Sequence, residues 1–314
     1  MQPKHTKEVS ALQGGRRILF IINPHAGRSE IRQRLLDILQ LFAEHGFETL
    51  VRPTTRAGEI GDIISAHDGN FDIVVTCGGD GTLNETLSGI MALGRRVPLG
   101  YLPSGTVNDF AASLGISRNM LDAARNITAG HTCRIDAGRF GDRYFSYIAA
   151  FGAFTEVSYQ TPQQSKMLLG RTAYILEGIK RLPVLKAYPM QVEAEGFSTE
   201  GEFLFGMVSN SSSVGGFRLS DKARVSMSDG LLEVTLVRNP QNVAELTAVI
   251  NSILHQDFDS DLVHSFKASR VRFCAPDAVP WTLDGEFGGS PSDVAISAVR
   301  DAIDVFCPEG WSNP

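Results

Sequence analysis

Residues 78–85 read GGDGTLNE, and they lie between an apolar run, FDIVVT (71–76), and an amphipathic run, TLSGIMAL (86–93). A strand that turns into a helix needs one glycine, so three glycines indicate that the backbone approaches a ligand closely. Glycines before a helix N-terminus let backbone N–H groups reach phosphate oxygens. A carboxylate beside phosphates, here Asp80, implies a bridging cation or a substrate hydroxyl that loses its proton. These residue types indicate a nucleoside triphosphate bound with Mg²⁺.

Two further loops of small residues follow predicted strands, namely NPHAGRS (23–29) and PSGTVNDF (103–110). In a parallel sheet all three loops lie at the carboxyl edge of the strands, where α/β proteins bind ligands. One such loop could be a simple turn, but three at the same edge favour a ligand site. The chain has no GxxxxGK[ST] motif and no protein-kinase motif set, and the absence of GxGxxG weakens a dinucleotide interpretation.

Two aspartate-glycine segments in the second half carry acidic groups that either build turns or take part in chemistry. In LDGEFGG (283–289), Asp284 and Glu286 point to the same side of an extended stretch, and either could accept a proton from a hydroxyl. In SMSDGLLEV (226–234), Asp229 could bind a cation through its carboxylate. From the residues alone, a hairpin turn is the favoured interpretation of both segments.

Strands and helices alternate in the first third of the chain, which predicts βαβ units and a mostly parallel sheet. The predicted elements are strand 16–23, helix 29–46, strand 47–53, a weak helix 58–69, strand 71–78, helix 83–94, strand 97–105 and helix 120–130.

From about residue 134 short alternating runs are separated by Gly, Asp and Asn, which is typical of antiparallel strands; two helices, 167–182 and 243–256, interrupt them. We therefore predict an N-terminal α/β domain with a parallel sheet and a C-terminal antiparallel β-sandwich domain. The predicted division is a flexible segment 1–15, a nucleotide-binding domain 16–134 completed by the segment 301–314, and a β-rich domain 135–300.

Composition narrows the functional class further. The 314 residues carry a net charge of −6 without a basic stripe, which argues against a nucleic-acid partner. The four cysteines are widely spaced without a CxxC pair or a histidine grouping, so we expect small buried hydrophobes in a reduced cytoplasm. No apolar run is long enough to span a membrane, whereas a peripheral contact with a membrane surface needs no such run.

Five segments together resemble the diacylglycerol kinase catalytic-domain family, especially its soluble bacterial lipid kinases. They are NPHAGR at 23–28, GGDGTLNE at 78–85, LPSGTVNDFA at 102–111, VGGF…SMSDGLLEV at 214–234 and LDGE at 283–286, in family order. GGDGT is shared with NAD kinases and phosphofructokinase-like proteins, so it identifies the superfamily and its parallel sheet. The SGTxNDFA loop and LDGE are more specific to lipid kinases.

The resemblance implies ATP and Mg²⁺ as cofactors and a lipid hydroxyl as the acceptor. It implies that Glu286 of LDGE is the general base, that Asp80 acts near the catalytic Mg²⁺, and that Asp109 supports the site. Lys166 is implied to neutralise the charge of the transferring phosphate. The implied nucleotide-binding residues are Asn23, Pro24, His25, Ala26, Gly27, Thr54, Gly79, Asp80, Gly81, Thr82, Leu83, Asn84, Glu85 and Thr106.

A structural Mg²⁺ is also implied, with ligands from Ser226, Asp229 and the Leu231 carbonyl. Some relatives have aspartate where this chain has Ser226, so one charged oxygen ligand is lost here. The sequence leaves an NAD kinase-like enzyme and a non-catalytic nucleotide-binding protein as alternatives. It does not identify the lipid, and no feature decides whether the chain forms a homodimer. A lipid kinase would lie in the cytoplasm, in transient contact with the inner face of the membrane.

Overall fold

The computed structural model describes residues 16–26, 30–153, 186–211, 213–214, 217–218, 225–255 and 260–311. The predicted helix 167–182 lies outside the described residues. The described part of the first 130 residues alternates strands with helices as expected. Its elements are β1 (Arg16–Ile22), α1 (Glu30–Glu44), β2 (Phe47–Pro53), α2 (Ile60–Ala66), β3 (Ile73–Gly78), α3 (Asp80–Ala92), β4 (Leu99–Pro103), α4 (Asp109–Ser113) and α5 (Met120–Ala129).

The four strands of this part are parallel and lie in the order β2, β1, β3, β4. Helices cover the sheet, so β3 and β4 are buried along their whole length and consist mainly of apolar residues. Because the strands are parallel, the loops that follow β1, β3 and β4 meet at one edge of the sheet. The same edge carries the loop that follows β2.

The rest of the described chain is dominated by antiparallel strands. These elements are β5 (Thr132–Phe140), β6 (Arg143–Phe145), β7 (Ile148–Gly152), β8 (Tyr188–Ala194), β9 (Phe197–Ser209), β10 (Ser213–Val214), β11 (Phe217–Arg218), β12 (Leu232–Arg238), α6 (Val243–His255), β13 (Val263–Ala268), β14 (Arg270–Cys274), β15 (Trp281–Leu283), β16 (Glu286–Gly289) and β17 (Asp293–Phe306). The predicted fold class, an α/β part followed by an antiparallel β-rich part, is confirmed.

The last strand, β17, connects the two kinds of sheet. Its first part pairs with β14, most of its length pairs with β5, and Val305 lies beside Leu99 of β4 in parallel orientation. The register with β5 shifts between Val299 and Ile303, and Asp301 within this shift has a φ of 51°. The Asp301 N–H donates to the buried carboxylate of Asp136 at 2.8 Å, which holds the irregular stretch in place.

Among the described residues, the two largest hydrophobic cores lie along the sheet. The first packs the helices on the parallel strands and includes Ile303, Val305 and Phe306 of β17. The second is rich in aromatic side chains, in which Trp281 lies 4.8 Å from Phe151 between ring centroids. Among the described residues, no helix combines the length and the apolar character needed to span a bilayer.

Three details differ from the sequence-based expectations. Helix α3 begins at Asp80, so Asp80, Gly81 and Thr82 form its first turn rather than the loop before it. The short helix α4 was not predicted, because five residues are too few for a visible periodicity. Cys274 is exposed, whereas the other three cysteines are buried, because it lies on the outward-facing side of the alternating strand β14.

Candidate active site

The loops after β3 and β4 touch each other through their glycines. A Cβ atom on Gly105 would lie 2.7 Å from the Gly79 Cα, a distance that real Cβ atoms do not show. The Ser104 N–H donates to the Gly78 carbonyl at 2.9 Å and continues the sheet pairing into the loops. Glycine at position 105 therefore lets the two loops form one continuous wall.

The loop after β1 is fixed to the same wall by Asn23. Its backbone N–H donates to the Cys77 carbonyl at 2.9 Å, and its side-chain amide donates to Thr82 Oγ1 at 3.0 Å. The Asn23 side-chain oxygen accepts from the His25 N–H at 3.0 Å, which closes a turn. Pro24 and Ala26 are half-buried and His25 is exposed, so this loop forms an open rim above the first turn of α3.

The loop after β4 is shaped by Asn108, which was not among the predicted site residues. Asn108 has a φ of 56°, a left-handed conformation that asparagine tolerates better than most residues. Its side chain accepts from the Gly105 N–H at 2.9 Å and donates to the Gly105 carbonyl at 2.7 Å. This arrangement directs the Asn108 N–H to Asp80 Oδ2 at 3.1 Å. Thr106 lies at the exposed tip of the loop.

Asp80 is the first residue of α3, where the helix dipole favours negative charge. The pKa of Asp80 is raised to about 7: burial contributes most, the carboxylates of Asp109 and Asp284 add to the rise, and backbone N–H donors from Asn108 and Asp109 oppose it. Within the described part of the chain, Asp80 Oδ1 is buried and accepts no hydrogen bond. A buried carboxylate oxygen of this kind is suited to receive a cation or a proton.

Asp284, in the turn between β15 and β16, is a fully buried carboxylate with five hydrogen bonds. Its Oδ2 accepts from the Asn84 amide, the Ser146 N–H and the Ser146 hydroxyl at 2.6, 2.6 and 2.7 Å. Its Oδ1 accepts from the Tyr147 and Ile148 N–H groups, both at 3.0 Å. Burial raises the pKa of Asp284 and these donors oppose the rise. Since every one of these contacts is an acceptor contact, the geometry favours the ionised form.

The Asp284 contacts place Glu286 against the GGDGT segment. A Cβ atom on Gly81 would lie 3.2 Å from Glu286 Oε1, so a side chain at position 81 would crowd the carboxylate. Glu286 is exposed overall, yet its partial burial, together with the negative charge of Glu85, raises its pKa. The two acidic motifs, separated by about two hundred residues in the sequence, thus meet in one cleft.

Glu85 and Thr54 shape the adjacent rim. Both Glu85 oxygens accept from the Gly58 N–H at 3.1 Å, which ties the loop after β2 to α3. The Thr54 N–H donates to the Ile22 carbonyl at 2.8 Å and the residue is buried. Glu85 and Thr54 therefore have structural contacts of their own at the place where a nucleotide was expected.

The remaining predicted residues are distributed as follows. The Leu83 side chain lies in the first core, so it presents no polar group to the cleft. Asn84 uses its amide to join α3 to Asp284 and to the Tyr144 carbonyl. Asp109 is buried at the start of α4. Gly27 and Lys166 lie outside the described residues.

The residues implied for a structural metal lie in the turn before β12. Asp229 Oδ1 accepts from the Leu231 N–H at 3.0 Å, and Asp229 Oδ2 accepts from the Lys267 ammonium at 3.2 Å. The Ser226 hydroxyl accepts from the Ser228 N–H at 3.4 Å. Within the residues that the structure describes, no group of three or more His, Cys, Asp or Glu side chains is arranged to hold a metal ion.

Sequence reasoning missed the positioning roles of Asn108 and Asp284. Asn108 carries one local signal, since asparagine adopts the left-handed backbone conformation more readily than most other residues. Asp284 was considered as a base, but its neighbours Asn84 and Ser146 are distant in sequence. No spacing rule links these residues before the fold is known.

Comparison with known proteins identifies the class. The profile of the diacylglycerol kinase catalytic domain matches residues 17–140, and that of the YegS C-terminal NAD kinase beta sandwich-like domain matches residues 150–307. A diacylglycerol kinase from Bacillus anthracis str. Sterne has a similar solved structure, with a TM-score of 0.74 at 20% identity, covering 94% of this chain and 98% of that one. The fold is that of a nucleotide-dependent phosphotransferase.

Sequence relatives extend the match over nearly the whole chain. The chain is 36% identical to the diacylglycerol kinase of Bacillus subtilis (strain 168) over 299 residues, 94% of this chain and 97% of the relative. It is 32% identical to the diacylglycerol kinase of Staphylococcus saprophyticus subsp. saprophyticus over 301 residues, 95% of this chain and 97% of the relative. The chain belongs to the diacylglycerol kinase catalytic-domain family and is an ATP-dependent lipid kinase. This finding favours the lipid kinase over the two alternatives.

Replacement of Asp284 by Asn tests the role of its five hydrogen bonds. Asparagine tolerates the positive φ of 50° at this position, so the change removes acceptor capacity without new backbone strain. An amide group facing buried N–H donors should lower the free energy of unfolding by about 3 kcal/mol. Urea denaturation measures the loss. Asp142→Asn, at an exposed position in the neighbouring turn, is the control, and equal effects of the two variants would contradict the proposed role.

Replacement of Asp80 by Asn tests whether the negative charge of Asp80, at the start of α3, lowers the free energy of unfolding. The unfolded carboxyl has an ordinary pKa near 3.8 and the folded one a pKa of about 7, so the folded state binds more protons between these values. Stability should therefore fall as pH rises through this window, and Asp80→Asn should remove the fall. Each pKa unit corresponds to about 1.4 kcal/mol, which sets an upper bound of about 4 kcal/mol for the gain.

The measurement is urea denaturation of the nucleotide-free protein at about pH 5 and about pH 8. Asp277→Asn, at an exposed position, controls for the general loss of one negative charge. An Asp80→Asn variant whose stability advantage is the same at both pH values would show that the charge of Asp80 does not lower the free energy of unfolding.

Proposed function

We propose that the chain transfers the γ-phosphate of ATP to the free primary hydroxyl of diacylglycerol, in the cleft where GGDGT meets LDGE. The single observation that carries this proposal is the contact of Glu286 with Gly81. A nucleotide-binding protein without catalysis needs no carboxylate beside the glycines of its phosphate wall. In this proposal residues 16–134 and 301–314 bind the nucleotide, and residues 135–300 bind the lipid.

The nucleotide phosphates would lie along the wall formed by the loops after β1, β3 and β4. Gly79 and Gly81 expose backbone there, and the first turn of α3 offers N–H groups and the positive end of its dipole. Asn23 and Thr106 border this wall on either side. Most of the catalysis in phosphoryl transfer comes from positioning and charge neutralisation, which is what such a wall provides.

The residues present fit a Mg²⁺ ion that is shared with the nucleotide. Mg²⁺ is usually bound through one or two carboxylates together with substrate phosphates rather than by an all-protein cage. The buried Asp80 Oδ1 without a hydrogen bond is such a ligand position. When bound there, Mg²⁺ would neutralise charge on the β- and γ-phosphates. Asp109 is buried near Asp80, and its negative charge would strengthen the attraction of this site for the ion.

Glu286 is the proposed general base. Its raised pKa makes its carboxylate a stronger proton acceptor than an ordinary surface glutamate. Glu286 would take the proton of the lipid hydroxyl while the hydroxyl oxygen forms its bond to the γ-phosphorus and the bond to the ADP oxygen breaks. Asp284 holds the turn, and so fixes the direction in which Glu286 faces the phosphate wall.

The entrance to the cleft has features that suit a lipid at a membrane surface. Phe287, directly after the base, is 55% exposed on β16, which is the terminal strand of the main strand order. The exposed Arg143 of β6 donates to the Phe287 carbonyl at 3.2 Å. An exposed aromatic ring beside a cationic side chain matches the boundary between acyl chains and phosphate headgroups. We propose a transient contact with the inner face of the membrane through this element.

The central test is phosphate transfer from labelled ATP to diacylglycerol, with NAD as a separate acceptor. We expect transfer to diacylglycerol and none to NAD. Glu286→Gln should lower kcat about 10²- to 10⁴-fold, the usual range for loss of a general base. Asp80→Asn should also abolish transfer, while Glu200→Gln, an exposed glutamate of β9, should leave it unchanged. Transfer to NAD but not to lipid, or full activity of Glu286→Gln, would overturn the proposal.

A second test addresses Phe287. Phe287→Ser should raise the KM for diacylglycerol presented in anionic vesicles by roughly tenfold, since it removes a partly buried aromatic contact with the lipid. The KM for a short-chain, water-soluble diacylglycerol should change little. Leu36→Ser is the control, because Leu36 is 75% exposed on α1. Equal effects on both forms of the substrate would show that Phe287 does not contact the membrane surface.

A further inference from the structure

The turn before β12 contains the residues to which the family resemblance assigns a structural Mg²⁺: Ser226, Asp229 and the Leu231 carbonyl. Such a site needs oxygen ligands that are free to face the ion and a negative charge that the ion can balance. The side chains in this turn can be compared with these requirements directly.

Both oxygens of the Asp229 carboxylate already have a partner. One oxygen accepts from the Leu231 N–H at 3.0 Å, a contact that closes the turn. The other oxygen lies 3.2 Å from the Lys267 ammonium. The Ser226 hydroxyl is neutral and accepts from the Ser228 N–H, so it adds no charge. The donor set therefore offers one carboxylate, and a cationic side chain already contacts it.

Lys267 reaches this turn from a fixed place in the sheet. It lies on β13 directly opposite Glu233 of β12, and its ammonium is 3.2 Å from Glu233 Oε1. Glu233 is only 7% exposed, and a buried carboxylate needs a positive partner. Lys267 thus bridges two carboxylates, one in the strand and one in the turn, as a bound cation would.

A divalent ion at Asp229 would have to share its ligand with this ammonium. Two positive charges at one carboxylate repel each other strongly in a partly buried site. Displacement of Lys267 would in turn leave Glu233 buried without its counter-charge. The residues present do not fit the structural Mg²⁺ of the resemblance.

We infer that Lys267 replaces the divalent cation in this turn, so that the segment 226–234 is held by a covalently attached counter-ion and needs no metal. The turn has a wider role, since the Gly230 N–H donates to Asp136 at 2.7 Å. Asp136 also receives the N–H of Asp301 in β17. Because Lys267 holds this turn, it also supports the hydrogen bonds that join the turn to Asp136 of β5, and through Asp136 to β17.

The test is thermal unfolding of the full-length, nucleotide-free protein in EDTA and in excess MgCl₂. The wild-type melting temperature should be the same in both conditions. Asp80→Asn, measured in parallel, separates any effect of Mg²⁺ at the nucleotide cleft from an effect at this turn. Lys267→Met should melt several degrees lower than the wild type in EDTA, because Glu233 and Asp229 lose their counter-charge. Lys267→Arg keeps the charge and should remain close to the wild type.

A melting temperature that falls on chelation in both the wild type and Asp80→Asn would show a bound metal at the turn and overturn the inference. Lys267→Met as stable as the wild type in EDTA would overturn it as well. If Lys267→Met does not fold, the comparison of wild type and Asp80→Asn with and without EDTA still decides the question.

Discussion

The active cleft depends on one buried carboxylate, that of Asp284. This carboxylate belongs to the hairpin that carries Glu286, but its hydrogen bonds come from α3 and from the chain between β6 and β7. A buried anion that receives five hydrogen bonds is stable in one arrangement, because displacement leaves several donors without acceptors. The position of Glu286 beside Gly81 therefore depends on the buried charge of Asp284. Asn84, which was expected to bind the nucleotide, donates one of these hydrogen bonds to Asp284.

The negative charges around the cleft show how stability and chemistry oppose each other. Burial and the carboxylates of Asp109 and Asp284 raise the pKa of Asp80, and Asp80 Oδ1 has no hydrogen-bond partner among the described residues. In the turn before β12 the negative charges are balanced, because the Lys267 ammonium lies between the carboxylates of Asp229 and Glu233. The Asp80 carboxylate thus keeps an opposed negative charge, whereas the turn before β12 carries its own counter-ion.

Much of this organisation could be predicted from the sequence, because it depends on local patterns. Alternating strands and helices predicted the parallel sheet, and the small-residue loops after successive strands predicted which loops meet at one edge of it. The LDGE segment could not be interpreted from its local pattern in the same way. Its own residues predict a hairpin turn, and the segment forms one between β15 and β16. What distinguishes it is contact with Gly81 and Asn84, which depends on tertiary packing. The ion pairs of Lys267 were likewise set by residues that are remote in the chain, Asp229 and Glu233.

The path of β17 has a consequence for how the protein is made. In the sheet, β4 pairs with β3 on one side and with β17 on the other. The four strands β1 to β4 are complete by residue 103, whereas β17 begins at residue 293. During synthesis from the N-terminus, the edge of β4 therefore waits unpaired while the whole β-rich part is translated. Exposed strand edges of this kind invite wrong partners, and pairing over such a sequence separation is slow. The nascent chain thus completes its parallel sheet late, when the β-rich part has already been translated.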